Sequence, residues 1–170
     1  MKRNLPRLVK TQSSKGFTLI ELLVVIGILA ILLSIVLIAI NPARQFGQAN
    51  DTKRQSAVTQ ILNAVGAYHA DNKGQLPPNI PVGVVGTNEV QIAWDGITAN
   101  APGNICSALL GTAGDGYIPA LPVDPTLTGG DITNCSIAYA TGYFIVQDAN
   151  GRVTVIAPSS EVTTPIQITR

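Results

Sequence analysis

At 170 residues the chain is long enough for one membrane segment and one modest folded domain. Its hydrophobic share of 46% is concentrated in residues 17–40, which exaggerates how apolar the remainder is. The net charge of +1 averages Lys2, Arg3, Arg7, Lys10 and Lys15, which precede every acid, with a body in which six basic residues face ten acidic ones, a balance that excludes a general nucleic-acid binder.

The first element is the apolar run. From Leu22 to Ile40 only Gly27 and Ser34 interrupt aliphatic side chains and alanine. At 1.5 Å per residue, about 20 such residues span the ~30 Å hydrocarbon layer. The five leading cations stay on the cytoplasmic side, which places the N-terminus inside and everything after Ile40 outside. A cleaved secretory signal would have a shorter apolar core, roughly 7–15 residues, followed by a small-residue cleavage site. Here the following sequence is "NPARQFGQANDTKRQ", without such a site. Glu21 stands at the head of the run. A carboxylate there needs a partner, a neutral form, or a place near the headgroups.

Asn41-Pro42 predicts a kink or break, because proline removes a backbone donor and clashes with the preceding turn. Helical spacing then resumes. Ala57, Val58, Ile61, Leu62, Val65 and Tyr68 recur at three- and four-residue intervals, with Lys53, Arg54, Gln55, Gln60 and Asn63 around them. Asn72-Lys73-Gly74 and Pro77-Pro78 end the pattern. A continuous helix from Phe17 to Asn72 would measure roughly 80 Å.

The remainder changes character. Glu89–Trp94 reads as a short strand and Asn104–Leu110 as a short helix. Tyr143–Gln147 and Arg152–Ile156 are β-rich and joined across Asn150-Gly151, a pair suited to positive φ in a tight hairpin. A separate strand is expected at Ser136–Thr141. The tail from Ala157 is polar and proline-broken, with loose ends expected. The fold class is α+β: a long N-terminal helix, transmembrane then amphipathic, packed against a small antiparallel sheet. Cys106 and Cys135 lie in the outer portion, where a disulfide is the default expectation and two buried thiols the alternative. Closing that loop would stabilise the fold by roughly 3–4 kcal/mol.

Catalytic and metal-binding patterns are weak. His69 near the end of the helical pattern reads as a surface or packing residue. No Cys/His cluster, phosphate loop or nucleophile elbow is present, so neither an enzyme nor a cofactor is expected. Asp115, Asp124 and Asp131 occupy a loop-like stretch where oxygen ligands can converge on calcium, but turn-forming aspartates account for the same residues. No metal site is assigned. Asn50-Asp51-Thr52 and Asn134-Cys135-Ser136 match the glycosylation pattern, which carries little weight in a bacterial-looking chain.

The strong constellation is the N-terminus. A basic leader ending in Lys15-Gly16, followed by "FTLIELLVVIGILAIL", resembles the class III signal of type IV pilins and type II secretion pseudopilins. The close resemblance covers about residues 15–40 and extends more loosely through the rest of the helix. It implies that a membrane aspartyl peptidase cuts on the cytoplasmic side after Gly16 and methylates the new amine of Phe17. Glu21 then matches the acidic residue near the start of the mature helix. The new amine would lie about one helical turn away, and its pairing with Glu21, within or between subunits, can set the height of each subunit in a bundle.

The resemblance divides the chain into a cleaved leader at 1–16, a transmembrane and assembly helix at 17–40, its amphipathic continuation at 41–73, and an α+β head at 74–170. It implies a structural subunit of a type IV pilus or pilus-like filament. Its partners are the prepilin peptidase, the inner-membrane assembly machinery, membrane lipid before assembly, and further copies of itself. The resemblance implies a chain that starts in the inner membrane with its N-terminus cytoplasmic and ends in an extracellular pilus or an envelope-spanning pseudopilus. The alternatives are a pseudopilin whose filament stays in the envelope and an anchored binding domain that never polymerises.

Overall fold

A backbone break at Asn41 divides the helical half of the chain. The computed structural model describes residues 16–98, 100–111, 116–162 and 165–170. Helix α1 spans Leu19–Ile40 and α2 spans Pro42–Asp71. Asn41 closes α1 at φ 45° and ψ 80°, a left-handed conformation that asparagine tolerates better than most residues. Pro42 opens α2, where its fixed φ suits the first turn and its missing N–H is not needed. The kink or break expected at Asn41-Pro42 is thus a full break, and the helical stretch from Phe17 to Asn72 is two helices. The chain forms two compact units, one ending at Pro42 and one spanning Ala43–Arg170.

The first unit holds α1, in which no residue is buried. In the second unit, α2 ends where the sequence predicts. Lys73 and Gly74 turn left-handed at φ 55° and 83°, and the Gly74 N–H donates to the His69 carbonyl at 2.9 Å. Beyond it come β1 (Val90–Trp94), α3 (Cys106–Leu110), β2 (Tyr139–Gln147), β3 (Val153–Ala157) and β4 (Ile166–Thr169). The strands form an antiparallel meander in the order β1-β2-β3-β4. Val90, Ile145, Val155 and Ile168 lie opposite one another in turn across the sheet.

The core forms where the apolar stripe of α2 meets the inner sheet face. Ala57, Val58, Ile61, Leu62, Ala64 and Val65 join Tyr143, Ile145, Val153 and Val155 in one buried cluster with Leu109 and Leu121. Each fully buried aliphatic side chain contributes about 1.5–3 kcal/mol. Cys106, at the start of α3, is disulfide-bonded to Cys135, with Cα atoms 5.6 Å apart. That bond ties α3 to the approach to β2.

Three local expectations change. The strand placed at Ser136–Thr141 is not separate: β2 is one strand interrupted by a bulge. Gln91 opposes Phe144 while Ala93 opposes Ala140, so the excess residues fall around Gly142 at φ 80°. A Cβ on Gly142 would also come within 2.9 Å of the Asp124 Cβ. The β2–β3 connection is longer than a two-residue turn, and only Gly151 takes a positive φ, 79°. Asp148 organises it by accepting the amides of Asn150 and Arg152 at 2.8 and 2.9 Å. Finally, the tail supplies β4, which pairs with β3 from Thr154 to Ala157. Ile166 and Ile168 alternate with Gln167 and Thr169 there, a period-2 pattern too short to stand out beside a proline.

Candidate functional site

The structure places Gly16 and Phe17 ahead of α1, outside any regular element, with Phe17 83% exposed. The helix starts at a capping box. Thr18 is extended at φ −79° and ψ 152°, and its Oγ1 accepts the Glu21 N–H at 3.2 Å. Glu21 Oε2 in return accepts the Thr18 N–H at 2.8 Å and the Thr18 hydroxyl at 2.9 Å. Two otherwise orphaned helix-end donors are satisfied this way, and an acid in the first turn also favours the helix dipole. The same box leaves the peptide bond between Gly16 and Phe17 in non-helical chain ahead of the helix. Gly16 has open space around it, since a Cβ there meets nothing within 4 Å.

Behind this end, α1 presents 22 residues of hydrocarbon length, about 33 Å. It is the one helix among the described residues long and apolar enough to cross a membrane. Leu22, Leu23, Val24 and Val25 are each about half exposed, and the aliphatic side chains after them range from half exposed to Ile38 at 84%. Ser34 hides its hydroxyl by donating to the Ile31 carbonyl at 2.8 Å. A helix apolar on every side and buried against nothing requires lipid or other helices around it.

These observations coincide with a family-level match. Residues 11–37 match the prokaryotic N-terminal methylation motif. That match supports reading this stretch as the class III signal peptide of type IV pilins and pseudopilins. The motif supports a type IV pilin-like or pseudopilin precursor, and it belongs to a family of structural rather than enzymatic proteins. It implies processing by a prepilin peptidase and assembly into pilus-like filaments, with membrane anchoring beforehand. The chain matches no curated protein and no solved structure.

Other expected residues lie outside this end. Pro42 opens α2, and Cys106 and Cys135 brace the head. His69 is exposed in the last turn of α2. Asn50, the first sequon asparagine, donates its amide to Glu161 Oε1 at 2.9 Å. Of the acidic loop residues, Asp115 lies outside the described residues, and Asp131 accepts the Val123 N–H at 3.1 Å. Among the described residues no group of three or more His, Cys, Asp or Glu is arranged to hold a metal ion.

Asp124 has a different occupation. Its carboxylate receives Arg54 on both oxygens, from Nε at 2.8 Å and Nη2 at 3.1 Å. It also accepts the amide and hydroxyl of Thr126 at 2.9 and 2.6 Å. Burial pushes the Asp124 carboxyl up, but the bonds from Arg54 and Thr126 outweigh it and hold it below the usual carboxylate range. Arg54 Nη1 reaches Asp51 at 2.9 Å and Glu161 at 3.1 Å. Arg54 is fully buried, not part of the polar surround that the sequence suggested. Its signal was present, because Asp51, Arg54, Val58 and Ile61 share one helical stripe and the buried face runs back past the last aliphatic residue.

Proposed function

We infer that this chain is the structural subunit of a type IV pilus or pilus-like filament, cut after Gly16, methylated at Phe17, and polymerised through its N-terminal helix. The observation that carries this is α1: apolar on all sides, buried nowhere, and led by an acid one turn past an accessible Gly-Phe junction. In the bilayer lipid covers those side chains. In a filament the same helices cover one another, so one segment serves as both anchor and polymer core.

Glu21 supplies register to an otherwise featureless seam. Cleavage creates an ammonium at Phe17 that, in a bundle with little water, favours a carboxylate partner. A subunit at the wrong height leaves both charges unpaired. Before cleavage, Glu21 is satisfied within its own capping box.

Intact mass with N-terminal sequencing, on membrane and sheared surface material from the native host, tests this. A chain starting at Phe17 and heavier by one methyl group, present in the sheared fraction, is the expected result. The same chain confined to the envelope assigns it to a pseudopilus. A chain starting at Met1 in every fraction overturns the assignment.

A further inference from the structure

No apolar side chain of α2 is buried before Ala57, and the side chains buried ahead of it are those of Asp51 and Arg54. Phe46, the large apolar residue of this stretch, is exposed. Residues 43–55 are therefore held to the head mainly by polar contacts, and these converge on the β3–β4 connection. Asp51 Oδ1 and Oδ2 accept the N–H groups of Glu161 and Val162 at 2.9 and 2.8 Å. Glu161 Oε1 accepts from Asn50 at 2.9 Å and from Arg54 at 3.1 Å. Gly47 lies under the same segment, where a Cβ would come within 3.1 Å of Val162 Cγ2. The far edge of Arg54 rests on Asp124.

From Ala57 onward the attachment is apolar, through Val58, Ile61, Leu62 and Val65. The two halves respond differently to separation. Pulling aliphatic groups into water has no compensation. Charged partners that separate together are each rehydrated, which offsets most of their lost attraction.

We propose that Glu161 and Val162, with Asp51 and Arg54, form a latch through which residues 43–55 dock reversibly on the head while 57–65 remain in the core. Opening is a local event that leaves the sheet and the Cys106–Cys135 bond in place. It provides a stretch of chain between the apolar helix and the core that can leave the head and return without unfolding it. The latch is a property of the head and stands whether or not the chain polymerises.

Hydrogen exchange read by mass spectrometry on the full chain in detergent micelles at neutral pH tests this. Amides at 47–55 are expected to exchange about tenfold or more faster than those at 58–66. Glu161→Ala, at a part-exposed position, should speed the first group by about another tenfold. Val58→Ala, in the part that stays docked, should speed the second group and leave the first unchanged, because its contacts persist when the latch opens. One common rate for both groups in the unaltered chain overturns the latch. So does equal acceleration of both groups by Val58→Ala, which would mean that they open together.

Discussion

Two charged residues illustrate how differently a helix can use the same chemistry. Glu21 faces outward in a capping box, where truncation leaves the fold of α1 in place and affects what α1 meets. Glu21→Ala is expected to be cleaved and methylated normally yet to give few or no sheared filaments. Normal filament yield from this variant would remove the register role. Arg54 is the opposite case, fully buried with carboxylates on two sides. Arg54→Met leaves Asp124 buried without its cation and should cost about 3–5 kcal/mol in denaturant unfolding of the head. Arg54→Met with Asp124→Leu should regain much of that loss, because an apolar pair of similar volume needs no desolvation. Acid should act on the same pair. The folded-state pKa of Asp124 is depressed, so its stabilisation is complete above the unfolded value near 3.9 and is lost as pH falls through the folded one. Thermal midpoints should therefore hold from pH 7 to about 5 and drop below about 4. Asp124→Asn should flatten that drop, and parallel curves for the two proteins would place the acid sensitivity elsewhere.

At the scale of elements, legibility followed the range of the determining contacts. The end of α1 at Asn41-Pro42, the stop after Asp71 and the existence of β1 and α3 rest on residues a few positions apart. The bulge in β2 does not, since Gly142 yields to Asp124 and the Thr141 hydroxyl donates to the Ile92 carbonyl at 2.9 Å. Reading Gly142 as a strand boundary was reasonable in isolation, because glycine weakens a strand. The disulfide acts at this scale too. Replacing Cys106 and Cys135 together by alanine should lower head stability by roughly 3–4 kcal/mol, the loop-closure value for a sequence separation of 29. An unchanged unfolding midpoint would mean that the core alone fixes α3 against the approach to β2.

For the whole molecule, α1 in the first unit buries none of its residues and the second unit has a conventional core. This division lets the head form its core from Ala57 onward while the apolar sides of α1 stay exposed. Gly16→Leu isolates the processing step, because the site has room for a side chain and the head lies elsewhere in the chain. The variant should fold, fractionate with membranes and keep its leader, as read by intact mass. Mature protein from it would show that the junction after Gly16 is not where the peptidase acts.

The sequence by itself determined the apolar span and its limits, the methylation motif at its head and the helix-then-sheet order. Those depend on run length, charge placement and short spacing patterns, all local along the chain. Only the tertiary structure decided that Arg54 is a core residue, that the tail closes the sheet as β4, and that Asp124 binds a guanidinium. Each of these depends on partners far apart in sequence: 70 positions for Arg54 and Asp124, 107 for Arg54 and Glu161. A side chain's polarity says what it needs, and the fold decides whether water or another side chain supplies it.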